Sequence, residues 1–172
     1  MIKITLPDGS TKTVSKGTTA IEIAKSISEG LARNVLCASI NGETWDLNRS
    51  IQQDSSLKLH TWNDKEGKKC FWHSTAHIMA EALEYLYPGV KFGIGPAIEN
   101  GFYYDFYREE PFSAEDLPKI EKKMHQIIKQ NQPFTREVWS RAEAIEFFKN
   151  NGEHFKVELI HDLAKDETVT IY

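Results

Sequence analysis

The sequence predicts an α+β protein in two parts, a small β-rich unit followed by an α/β domain. Three features predict it. Short alternating runs separated by turn signals fill the first sixty residues, a polar charged stretch follows at 63–69, and helical apolar stripes interleaved with strand-like runs occupy the rest. With 172 residues, 40% hydrophobic and 27% charged, the chain can bury two small cores and reads as globular rather than disordered.

In the first part Ile2, Ile4 and Leu6 alternate, and Pro7-Asp8-Gly9 is a turn, since proline presets φ and glycine permits φ > 0. A second strand over Thr11 to Val14 completes a hairpin. Thr18 or Thr19 then caps a helix with Ile21, Ile23, Ala24 and Ile27 on one face, which Gly30 ends. Val35 to Ile40 is strand-like, Asn41-Gly42 is a strong hairpin signal, and Leu57-Lys58-Leu59 alternates again. Two strands, a helix and further short strands is the β-grasp order. Nothing in it supplies a catalytic group, and no C-terminal Gly-Gly for adenylation is present, so binding or regulation is its expected role. The stretch 63–69 is taken as a linker, giving domains at 1–62 and 63–172.

Beyond it a helix is expected from about Phe71 to Leu86, with Trp72, Ala76, Met79, Leu83 and Leu86 as its buried stripe and Pro88-Gly89 as its stop. His73 and His77 each follow a stripe position and share the rim of that face. Asn100-Gly101 predicts a hairpin, whose second arm faces Phe102, Tyr104 and Phe106 one way and Tyr103, Asp105 and Tyr107 the other. Ser113 and Asp116 read as a capping box, with Pro118 interrupting the helix start. Ile120, Met124, Ile127 and Ile128 give that helix its apolar face. Ser140 and Glu143 cap a further helix, stopped at Asn150-Asn151-Gly152, and Val157 to Ile160 reads as a strand.

The function classes narrow from composition. Net charge is −4; residues 1–60 carry seven Lys/Arg against six Asp/Glu, and the remainder fourteen against nineteen. Neither part has the basic balance of a dedicated nucleic-acid module. A local patch at Lys119, Lys122, Lys123, Lys129, Arg136 and Arg141 is expected as a solvated face, with contact to nucleic acid the sharper alternative. Two cysteines indicate no disulfide framework, and neither a signal peptide nor a membrane span is expected, so the predicted setting is cytoplasmic. For the histidines three uses compete: a metal site, local hydrogen bonding in a half-buried pair, or proton transfer from water in hydrolysis. Ser74 stands where a zincin pattern needs Glu, and spacing alone does not choose.

ITLPDGS at 4–10, HSTAH at 73–77, GPAIENGFYYDF at 95–106 and GEHFKVELI at 152–160 together resemble, in the same order, the N-terminal region of the bacterial threonyl-tRNA synthetases. The resemblance covers the whole chain. It implies a TGS domain followed by the editing domain that hydrolyses serine wrongly attached to the threonine tRNA. Such a second site has a physical reason. Serine lacks one methyl group of threonine, a difference worth only about 1–3 kcal/mol of binding discrimination. The resemblance places His73, His77 and Lys156 as catalytic groups and Tyr104 as a substrate contact, with no metal ligand in this region. His73 is the expected proton-handling group, His77 orients water or ester, and Lys156 stabilises the oxyanion or delivers a proton. The family's pocket continues with an Asp-x-Cys-x-x-x-His segment that this chain does not contain, so an editing domain truncated at its C-terminal end, with little activity alone, is expected. ATP, zinc, magnesium, the tRNA and a homodimer belong, by the same resemblance, to the whole enzyme, and no cofactor is expected in this part, which is expected to be monomeric. The alternatives are a regulatory TGS-type binding module with an inert histidine pair and an alanyl-type zinc-dependent editing protein.

Overall fold

The structure is a computed structural model and describes residues 1–164 and 167–172. It divides into two compact units, residues 1–74 with 97–99 and residues 75–96 with 100–172. In the first, β1 (Ile2–Thr5) and β2 (Thr11–Val14) form the antiparallel hairpin that the Pro7-Asp8-Gly9 turn predicts. Helix α1 (Ala20–Ile27) opens with a full capping box: Thr19 accepts from the Glu22 N–H, and the Glu22 carboxylate accepts from the Thr19 N–H. It ends at Ile27, not at Gly30, because Ser28 leaves helical geometry and caps the short α2 (Glu29–Asn34). Strand β3 (Val35–Ile40) turns at Asn41-Gly42, both at positive φ, into β4 (Glu43–Trp45), and β5 (Ser55–Thr61) completes the sheet.

The strand order is β2-β1-β5-β3-β4, with β1 and β5 parallel and the other neighbours antiparallel. This is the expected β-grasp. Its core is Ile2, Ile4, Ile23, Ile40, Ile51 and Leu57 with Ala20 and Ala38, and each large aliphatic contributes about 1.5–3 kcal/mol by burial.

The stretch 63–69 is not an extended linker. Helix α3 (Lys65–Leu86) begins inside it, because Asp64 closes a turn with Thr61: the Thr61 N–H donates to Asp64 Oδ2 at 2.9 Å and the Asp64 N–H donates to the Thr61 carbonyl at 3.0 Å. That hydrogen bond, reinforced by Lys58, holds the Asp64 carboxyl below its ordinary range. At Gly67 the helix passes so close to Thr61 that a Cβ would lie 2.0 Å from its carbonyl oxygen.

The second unit packs α3 from Ala76 to Leu86 with β6 (Lys91–Phe92), β9 (Phe106–Tyr107) and α4 (Asp116–Gln130) around Ala82, Leu83, Val90, Phe92, Ile120 and Ile127. Of the predicted stripe, Ala76 and Leu83 are buried and Met79 and Leu86 pack against this core. Trp72 belongs to the first unit, the fully buried Ala82 was not expected, and α3 starts a turn and a half earlier than expected. Short strand β8 (Gly101–Phe102) begins at the predicted Asn100-Gly101 turn, and β7 (Ala97–Ile98) precedes it in the segment counted with the first unit. The aromatic arm is not one strand: 103–105 lie between β8 and β9, with Tyr104 half-buried and Tyr103 and Asp105 exposed. Helix α4 starts at Asp116, whose carboxylate accepts from the Ser113 N–H and hydroxyl. Pro118 falls in the first turn, where no N–H donor is needed.

Strands β10 (Glu137–Trp139) and β11 (Val169–Ile171) pair antiparallel, and α5 (Arg141–Asn150) begins at the predicted Ser140/Glu143 capping box. Val157 to Ile160 is not a strand. It lies within α6 (His154–Asp162), which turns Ile160 into the small core with Ala144 and Val169. The basic residues are dispersed: Lys119 pairs with Asp116, Lys123 lies over the Tyr85 ring, and Arg141 donates to the carbonyls of His161 and Leu163. Among the described residues no helix is long and apolar enough to cross a membrane.

Candidate functional site

The second unit holds an open cavity of about 1120 Å³ lined by His77, Tyr104, Glu153 and Lys156, with Phe92 and Ile160 among its apolar walls. Three of the four predicted site residues thus meet. His73 stands one turn earlier on α3, in the first unit, and is not among the residues lining the cavity. His73 is exposed, yet the protein around its ring and the cation of Lys69 hold it below the ordinary imidazole value of 6.5. The His77 ring lies 6.2 Å from that of Tyr172, which also lines the cavity.

Lys156 is presented by the first turn of α6. Its ammonium donates to the Gly93 carbonyl at 2.9 Å and reaches the Tyr104 hydroxyl at 3.5 Å. Burial lowers its pKa, opposed by the nearby Glu153 carboxylate. Tyr104 is shifted up by burial and by Glu153, which keeps it a neutral hydroxyl able to donate. Glu153 itself accepts from Lys91 Nζ at 3.1 Å through Oε1, and its buried Oε2 has no hydrogen-bond partner among the described residues. The cavity therefore offers a compact cation, a phenol and an imidazole around apolar walls, which suits binding a polar ester and stabilising developing negative charge.

Two groups that sequence reasoning missed position this set. The Gly93 N–H donates to the Asp105 carbonyl and the Asp105 N–H to the Ile94 carbonyl, which pins the segment carrying Tyr104 beside β6. Gly95 lies under the Tyr104 ring, where a Cβ would come within 2.3 Å of it. The glycine-rich run GIGP was the available signal. Gly95→Ala is expected to push the phenol off its place against Phe92 while leaving the fold standing. The check is Tyr104 ring resonances by NMR, which should shift while those of the sheet in the first unit do not.

A family model for the TGS domain matches residues 2–61. Over its whole length the chain is 53% identical to the threonine–tRNA ligase of Cytophaga hutchinsonii, 52% to that of Acidiphilium cryptum and 49% to that of Desulforamulus reducens. The chain is homologous to the N-terminal region of threonine–tRNA ligases. It spans 27% of the length of each of these relatives. In this family's terms residues 2–61 are the TGS domain, a β-grasp, in a chain of α+β architecture. Among the described residues, no group of three or more His, Cys, Asp or Glu side chains is placed to hold a metal ion.

Proposed function

We propose that the second unit is part of the editing site of a threonine–tRNA ligase, where serine wrongly joined to the threonine tRNA is hydrolysed. The observation that carries this is Lys156, a half-buried ammonium aimed at Tyr104 inside a cavity that His77 also lines. A neutral imidazole takes a proton from the attacking water, Tyr104 contacts the terminal adenosine or the seryl group, and Lys156 meets the oxyanion. Ligation of threonine with ATP, the zinc and magnesium that serve it, a homodimer and a cytoplasmic setting belong in this proposal to the whole enzyme, and its tRNA is the partner. The sequence-based domains 1–62 and 63–172 are kept in this proposal, whereas the compact units of the structure divide after residue 74.

The test is Lys156→Ala in a full-length ligase bearing this region. Seryl-tRNA hydrolysis should fall about 10²–10³-fold, as when a preorganised oxyanion donor is removed. The affinity for tRNA should change little. A collapse of tRNA affinity with the hydrolytic step intact would make Lys156 a phosphate contact and defeat the assignment.

A further inference from the structure

Both cysteines lie within residues 1–74. Cys37, on β3, is buried, and Cys70, on the second turn of α3, is half-buried. Cys37 Sγ donates to the Glu66 carbonyl at 3.6 Å. In an α-helix that carbonyl also accepts from the N–H four residues on, here that of Cys70. The Cys37 sulfur therefore sits against the turn that carries Cys70, and each thiol perturbs the ionisation of the other. A disulfide requires the two sulfurs to stand about 2 Å apart, and rotation of the two side chains between staggered rotamers is the motion that would bring them together.

We propose that Cys37 and Cys70 form a dithiol oxidation site, which a small hydroperoxide converts to an intrachain disulfide stapling the start of α3 to β3. The inference stands apart from the hydrolytic site and does not depend on it.

The two thiols differ in the way such a reaction requires. The adjacent Cys37 thiol, helped by the cation of Lys69, holds the Cys70 thiol below its ordinary range, against partial burial and the carboxylates of Asp46 and Glu66. The same contact, then burial, pushes the Cys37 thiol far up. Cys70 is thus the more accessible sulfur and the one with greater thiolate character, the two properties that select the attacking cysteine. Its thiolate attacks one peroxide oxygen, the O–O bond breaks, and hydroxide or alkoxide leaves and takes a proton, giving Cys70 sulfenic acid. The Cys37 sulfur then attacks Cys70 Sγ, the S–O bond breaks, and the hydroxide departs with the Cys37 proton as water. Two electrons pass from the dithiol to the peroxide, which is reduced to water, or to an alcohol and water. Thiol–disulfide exchange with a reducing thiol restores the pair.

The experiment treats the folded 172-residue chain with hydrogen peroxide and maps it by mass spectrometry without reduction. The expected product is a monomer lighter by two hydrogens, with tryptic peptides 34–49 and 70–91 joined. Both titratable thiols should be lost together and regained with dithiothreitol. In Cys37→Ala, dimedone should trap a persistent sulfenic acid at Cys70. In Cys70→Ser, Cys37 should stay reduced. Because Cys37 is in the core, the Cys70→Ser arm and the unsubstituted chain decide the matter should Cys37→Ala not fold. Two thiols surviving the peroxide, Cys70 running on to sulfinic acid beside an intact Cys37, or a disulfide between two chains would each overturn the proposal.

Discussion

His73→Ala, in a full-length threonine–tRNA ligase carrying this region, is expected to slow seryl-tRNA hydrolysis by about 10²–10⁴-fold, the usual contribution of a positioned general base. Threonine activation should be unchanged, since ligation is assigned in the proposal to the whole enzyme and not to this pocket. Only the neutral imidazole accepts a proton, and the folded protein holds His73 below 6.5. Hydrolysis should therefore be level at neutral pH and fall only as pH drops through that lowered value. For stability the sign runs the same way. Between the lowered value and 6.5 the unfolded chain binds more protons at His73 than the folded one. The histidine thus disfavours folding increasingly as pH falls through that window, and the penalty vanishes above it. His77→Ala is the necessary companion, because His77 lines the cavity with Lys156 and His73 does not. If His73→Ala hydrolyses normally and His77→Ala does not, the proton-handling role passes to His77.

Gly67→Ala is expected to give the largest loss of stability among single-methyl additions in the first unit. The added carbon would sit 2.0 Å from the Thr61 carbonyl oxygen and 2.7 Å from its carbon. Those are backbone atoms of β5, fixed on one side by the sheet and on the other by the turn to Asp64, so no rotamer change relieves the clash. Overpacking of a core costs about 1–3 kcal/mol, and an unyielding backbone neighbour places this site at or above the upper end. Alanine's better helix propensity, about 1 kcal/mol over glycine, offsets only part of it. Urea unfolding followed by far-ultraviolet circular dichroism reads the change. A midpoint equal to that of the unsubstituted chain would mean that α3 does not press on Thr61 as described.

Gly67 also marks where sequence reasoning reached its limit. The first unit was legible because each of its signals is local: strand alternation, the Pro7-Asp8-Gly9 and Asn41-Gly42 turns, and Thr19 facing Glu22 across one helical turn. The charged run 63–69 looked like a linker because its composition is polar, whereas its helix depends on a turn closed back onto β5. Val157 to Ile160 carries β-branched and aliphatic residues that suit a strand. What makes it helical is the burial of one side, at Ile160, against Ala144 and Val169, partners that local periodicity does not reveal. The site behaved similarly. Tyr104, Lys156 and the histidines came from family resemblance, and helical spacing alone left the histidines undecided. Gly93 and Gly95 had only the GIGP run as a signal, and Lys91 and Glu153 had none, because the two stand 62 residues apart.

The continuity of α3 through residues 65–86 also bears on how the chain can be cut. Proteases and circular permutation favour exposed, extended segments whose amides make few hydrogen bonds. Here the stretch following the β-grasp enters a helical ladder within four residues of β5, so trypsin should spare Lys65, Lys68 and Lys69 despite their charge. A severed product ending at residue 62 would lose the Asp64 carboxylate that the Thr61 N–H and hydroxyl both use, and would expose the end of β5. An expression boundary for the first unit therefore belongs after the opening turns of α3, at a point that composition alone would not choose.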